Sequence, residues 1–154
     1  MTEGSDRGEL AVEALEAMPD VVARLETRRR ARVADLGCGA GEAGMAIADE
    51  LIDVVVDGFD SDPACLTEAR RRAADAGLDA RVRFHEGGPA ALAGQGHYDL
   101  ILALGPEQPP EDLAAIRDAL ADDGVLLLAR NPGHAEVEKL RVEHANLTLF
   151  RLSS

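Results

Sequence analysis

From residue 32 to residue 128, short apolar runs alternate with amphipathic stretches, and this alternation limits the fold of the 154-residue chain more than any other feature. Residues 33–36, 54–59, 82–84, 99–104 and 124–128 have the length and apolar density of buried strands. Between them, residues 42–51 read as a helix. A second helix starts at Asp62-Pro63, an acid cap followed by a first-turn proline. Its apolar face is Leu66, Ala69, Ala73 and Ala76, and Gly77 stops it. A third opens at Pro110, with Leu113, Ile116 and Leu120 as its core face. Strands that alternate with helices build a parallel sheet with right-handed crossovers. The unbroken apolar run Val125-Leu126-Leu127-Leu128 suits a strand covered on both faces.

The ends of the chain complete the expectation. Residues 1–30 read as an N-terminal helical segment in two pieces. Leu15, Met18, Val22 and Leu25 lie on one helical face, and Pro19 breaks it. The cations Arg28-Arg29-Arg30 suit a helix C-terminus, with a phosphate patch as the alternative. Residues 134–140 read as a short helix, and 146–152 alternate as one last strand. The expected fold is therefore α/β, a doubly wound, mostly parallel sheet of about six strands, with a shortened C-terminus that adds one antiparallel strand. Residues 31–154 would hold this Rossmann-like unit, and the helical segment would belong to the same single domain.

Composition removes several classes of function. The formal net charge is −13, from 16 Lys+Arg against 29 Asp+Glu. Such a surface repels phosphate backbones, so nucleic acid is not an expected partner. No apolar run approaches the roughly 18 residues of a membrane span, and the first residues are polar, so a cytoplasmic location without membrane attachment is expected. Cys38 and Cys65 lack CxxC spacing, and no metal constellation is present.

The first predicted strand runs into Asp35-Leu36-Gly37-Cys38-Gly39-Ala40-Gly41. In an open parallel sheet, ligands bind beyond the C-terminal strand ends, where strand order reverses. Glycines there allow a tight turn and a close backbone approach. Gly39, Gly41 and Gly44 also satisfy GxGxxG, with Asp60 near the distance of a ribose acid, so a dinucleotide site has to be weighed. Charge separates the readings. A pyrophosphate disfavours an acid at the strand end, whereas S-adenosylmethionine has no phosphate and presents an ammonium and a sulfonium, which Asp35 suits. A purely structural Asp35 that caps loop amides is the remaining alternative.

Residues 33–41 resemble motif I of class I S-adenosylmethionine-dependent methyltransferases, with its acid-x-Gly-x-Gly-x-Gly core complete. Gly58-Phe59-Asp60-Ser61-Asp62-Pro63 resembles motif II, Tyr98-Asp99-Leu100-Ile101 the fourth-strand motif, and residues 120–128 the fifth-strand motif. The resemblance spans roughly residues 30 to 130. It implies that Asp35 orients the amino-acid end of the cofactor, that Gly37, Gly39 and Gly41, with Cys38 among them, line its close approach, and that Asp60 takes the ribose hydroxyls beside Ser61. Gly87 and Gly88 would lie at the adenine, although Cys38 by itself reads as a small packing residue.

The chain departs from the family in two places. Gly88 stands where the family has an acid that accepts from the adenine amino group, and Pro89 has no N–H to offer the ring. Loss of both contacts predicts affinity weaker by roughly one to three orders of magnitude, with Glu86 as a substitute acceptor. The tail is also short, and the missing segment often shapes the acceptor pocket in this family. No catalytic residue is assigned. Glu107, in the loop after the fourth strand, and His134, after the fifth, are the candidates for a base, each with a plain surface role as its alternative. His85 and His97, near strand boundaries, are expected to have no chemical role. The leading expectation is a methyltransferase that uses S-adenosyl-L-methionine on a small-molecule acceptor. A non-catalytic fold with weak or no cofactor binding is second, and an NAD(P)-dependent oxidoreductase third.

Overall fold

The computed structural model describes residues 3–104, 113–129, 133, 137–142 and 147–153. Two helices open it, α1 (Glu3–Glu16) and α2 (Pro19–Thr27), divided where the sequence predicts, with Pro19 in the first turn of the second. Leu15, Met18 and Leu25 of the predicted face are buried, and Val22 packs partly buried against them. The alternation follows: β1 (Arg32–Leu36), α3 (Glu42–Glu50), β2 (Val55–Asp60), α4 (Pro63–Asp75), β3 (Val82–Glu86), β4 (Tyr98–Ala103), α5 (Leu113–Asp118), β5 (Leu120–Leu128), β6 (Glu138–Val142) and β7 (Leu147–Ser153). A 3-10 turn, Pro89–Leu92, stands between β3 and β4. The start of α4 is capped as expected, since the Asp62 side chain accepts from the Ala64 N–H at 3.0 Å.

The strands form one sheet in the order β3-β2-β1-β4-β5-β7-β6. Strands β1 to β5 run parallel, and β7 is antiparallel to both β5 and β6. Chain order reverses between β1 and β4, which places the crevice of a doubly wound sheet at the C-terminal end of β1. On one face Val33, Val56, Leu100 and Leu127 pack with α1, α2, α3 and α4. On the other, Ala34, Phe59, Ile101 and Leu126 pack with α5 and the 3-10 turn. Because both faces are covered, Val125 to Leu128 are all buried. Each such leucine is worth about 1.5–3 kcal/mol over an exposed one.

Two expectations are corrected. Among the described residues the sheet has seven strands, because residues 138–140 of the segment read as a short helix belong to β6 (Glu138–Val142), while 134–136 lie outside the described residues. Leu140 and Val142 are buried while Glu138, Lys139 and Arg141 are exposed, the two-residue period of a half-covered strand. The charged outer residues also suit a sheet edge. Leu120 belongs to β5 and not to the preceding helix. The Ala119 N–H bonds Ile116 O and the Tyr98 N–H bonds Ala119 O, so the helix closes at Asp118 and the chain joins β4 at once. A register shift between Tyr98 and Leu100 absorbs the exposed Asp122-Asp123. The Arg28 side chain pairs with Asp99 and Asp123, so it ties α2 to the sheet.

Candidate cofactor site

The loop after β1 is held before any ligand arrives. Gly37 N–H and Cys38 N–H both donate to Phe59 O, at 2.8 and 3.0 Å, which fastens the loop to the end of β2. Gly39 has φ +56°, a region that favours glycine. Gly44 meets a different demand: a Cβ there would lie 2.9 Å from Val56 Cγ1, so its absence lets α3 rest directly on β2.

Two acids flank this loop. Asp35, at 4% exposure, is buried at the end of β1. Desolvation pushes its carboxyl up to about 7; Arg7 opposes the shift, and the nearby Glu42 and Asp60 carboxylates add to it. Asp60, at the end of β2, is partly exposed and hydrogen-bonded. Its Oδ2 accepts from Gly39 N–H at 2.9 Å and its Oδ1 accepts from Asp62 N–H at 2.9 Å. Each carboxylate oxygen has a further lone pair for a hydroxyl. The loop amide of Gly39 is thus met by Asp60, not by Asp35.

The other predicted residues take varied places. Ser61 is exposed beside Asp60. Gly87 N–H donates to Asp60 O at 2.9 Å, which brings the end of β3 alongside. Gly88 opens the 3-10 turn, its carbonyl accepts from Ala91 N–H at 2.9 Å, and nothing lies within 4 Å of where its Cβ would be. Glu86 is exposed, in register with Asp60. Cys38 is buried, and its Sγ lies 3.0 Å from where a Cβ on Gly58 would be. Burial and then the Asp35 and Asp60 charges push its thiol pKa upward, which suits a packing group and not a nucleophile. Glu107 and His134 lie outside the described residues.

Two features escaped sequence reasoning. Arg7 of α1 reaches the loop, and its Nη1 donates to Gly37 O at 2.9 Å. Asp57, buried mid-strand in β2, gathers Tyr98 OH at 2.9 Å, His85 Nε2 at 2.9 Å and Arg32 Nη2 at 3.2 Å. Burial alone would raise the Asp57 carboxyl, but these partners outweigh it and hold it below its ordinary value. His85 also stacks on Phe59, with ring centroids 5.0 Å apart. Its place is in the sheet and not in the crevice.

A family described as "Methyltransferase domain" matches residues 33–124, the stretch from β1 to the bend within β5. The chain belongs to this methyltransferase family. Among its curated relatives, the ribosomal protein uL3 glutamine methyltransferase of Bradyrhizobium diazoefficiens is 35% identical over 85 residues, covering 55% of this chain and 27% of that protein. A trans-aconitate 2-methyltransferase of Rhodococcus jostii is 38% identical over 58 residues, covering 38% of this chain and 23% of that protein. The matches thus span only about a quarter of these relatives' length. A solved methyltransferase from Geobacter sulfurreducens superposes with TM-score 0.66 at 19% identity, over 88% of this chain and 77% of that one. The structure of PKMT2 from Rickettsia typhi in complex with AdoHcy superposes with TM-score 0.57 at 21% identity, over 68% of this chain and 21% of that one. These two likenesses bear on the fold.

Proposed function

We propose that the crevice binds S-adenosyl-L-methionine and that the chain transfers its methyl group to a small-molecule acceptor. The observation that carries this reading is the division of labour between the two acids. Asp60 already holds the Gly39 amide, while Asp35 is buried at the strand end with its ionisation suppressed. A buried carboxyl in that state is a poor neighbour for a pyrophosphate and a good one for a cation, which restores its charge. The glycine loop offers a surface that a ligand can approach closely, and Asp60 retains acceptor capacity for ribose hydroxyls. Ser61 and the Gly87 turn border the same crevice.

When bound, the cofactor supplies a methyl group on a sulfonium, open to in-line displacement. The protein's own contribution is position: Asp35 orients the ammonium, Asp60 fixes the ribose, and the fastened loop keeps both from moving. The relatives act on chemically different acceptors, trans-aconitate in one and a ribosomal protein glutamine in another. A crevice at a strand end suits a small acceptor, and the net charge of −13 argues against a nucleic-acid one.

Gly88-Pro89 supports a second reading, in which the fold binds the cofactor weakly or not at all and does not catalyse. Isothermal titration with S-adenosylhomocysteine, with NADH as control, separates the readings. The methyltransferase reading expects saturable heat with the first ligand alone, followed by product with at least one member of an acceptor panel. No heat and no thermal stabilisation at saturating S-adenosylhomocysteine would leave the scaffold reading standing.

A further inference from the structure

Arg7 reaches the glycine loop from α1, and the packing of that helix has a second contact besides this one. Helix α1 lies against α3 at Gly8, where a Cβ would be 3.5 Å from Glu42 O and 3.6 Å from Ala46 Cβ, so the backbones are already in close contact. From that seat the half-buried Arg7 side chain extends to the loop. Its Nη1 donates to Gly37 O at 2.9 Å and lies 3.6 Å from the position a Cβ on Gly39 would take. The guanidinium is also close enough to buried Asp35 to favour its ionised form. A cation, a carbonyl acceptor and a carboxyl therefore converge on one side of the loop.

The amino-acid end of the proposed cofactor is a zwitterion, with an ammonium and a carboxylate on the same carbon. Asp35 suits the ammonium, and the carboxylate calls for a cation. We propose that Arg7 is the residue that recognises this carboxylate, so that α1 makes the site specific for ligands with an intact amino-acid tail. The inference rests on the reading of the crevice as an S-adenosylmethionine site. A guanidinium has five N–H donors in a planar fork that matches a carboxylate, and the Gly37 carbonyl engages one of them. The same contact keeps the fork at the loop before the ligand arrives, which lowers the ordering cost of binding.

The test uses two ligands and three proteins. S-adenosylhomocysteine has the whole tail, whereas S-adenosyl-3-thiopropylamine retains the amine and lacks the carboxylate. Both are titrated into the wild-type chain, Arg7→Gln and Arg7→Lys, with circular dichroism melts to confirm folding. Arg7→Gln is expected to weaken S-adenosylhomocysteine about ten- to hundred-fold and to change the decarboxylated ligand by less than about threefold. Arg7→Lys should recover part of the loss, since a point charge replaces the fork. An equal loss for both ligands, or none for either, overturns the role of Arg7 while the cofactor reading stands. A wild-type chain that binds neither ligand overturns both together.

Discussion

Asp35 and Asp60 carry the same charge at neighbouring strand ends, yet their surroundings give them opposite properties. Asp60 is hydrogen-bonded and partly exposed, so its replacement by Ala should cost about 1.5–3 kcal/mol of cofactor binding, read by titration with S-adenosylhomocysteine. Asp35 faces Arg7 from α1, Glu42 from α3 and Asp60 from β2, and its carboxyl titrates near neutrality, raised to about 7. A bound ammonium favours the ionised form, so affinity should rise with pH toward 7 and flatten above it. Asp35→Asn should bind weakly at every pH. The same shift has a stability consequence of defined sign. A folded-state pKa above the ordinary 3.8 means that the folded chain holds the proton more tightly, so stability is lost as pH rises from about 4 to about 7. Asp35→Asn should therefore melt higher than wild type at pH 8, by at most on the order of 4 kcal/mol, and no higher at pH 4. Gly88 allows a gain-of-function test, because its missing Cβ has open space around it and its φ of −112° suits any residue. Gly88→Asp should tighten S-adenosylhomocysteine at least about tenfold if it restores the adenine acceptor. A higher melting temperature with unchanged affinity would mean that the new side chain only caps the 3-10 turn.

At the level of elements, the contact of α3 with β2 sets how the loop is presented. Gly44→Ala brings two opposing effects. Helix propensity improves by about 1 kcal/mol, but a Cβ 2.9 Å from Val56 Cγ1 overpacks a contact with a branched side chain in an inner strand, at about 1–3 kcal/mol. The overpacking should prevail, with a lower midpoint in urea denaturation and weaker cofactor binding as α3 lifts from the sheet. The elements that were legible in the sequence are those whose signals are local. Pro19 divides α1 from α2, Asp62-Pro63 opens α4, and the apolar run after Gly124 marks β5, each through chemistry contained within a few residues. The miss at β6 has an equally physical cause. Glu138-Lys139-Leu140-Arg141-Val142 offers only two apolar residues, and what makes it a strand is the unpaired edge of β7 beside it, which lies outside the segment. Leu120 was misplaced for the same reason, because its pairing with Tyr98 is set by β4.

Across the whole molecule, the candidate site and the buried polar network divide in the same way. Asp35, Gly39 and Asp60 were readable because the loop and the strand ends are sequence motifs, whereas Arg7 and Asp57 acquire meaning only when distant segments meet. Asp57 is the clearest instance: it sits in the middle of β2 and bonds side chains from β1, β3 and β4, so a single carboxylate links four adjacent strands. Arg32, one of these partners, also lies over the Tyr98 ring, 4.3 Å from its centre, so the network is electrostatically continuous. Asp57→Asn keeps the shape and removes the charge. It should lower stability at pH 7 by about 2 kcal/mol, a fall in melting temperature of roughly 4–8 °C. Because the folded-state pKa of Asp57 lies below its ordinary value, its contribution is present above about 4 and disappears as acid protonates it. The gap between wild type and Asp57→Asn should therefore close as pH falls through the range below 4. A gap of constant size down to the lowest pH at which both proteins fold would mean that shape, and not charge, binds these four strands.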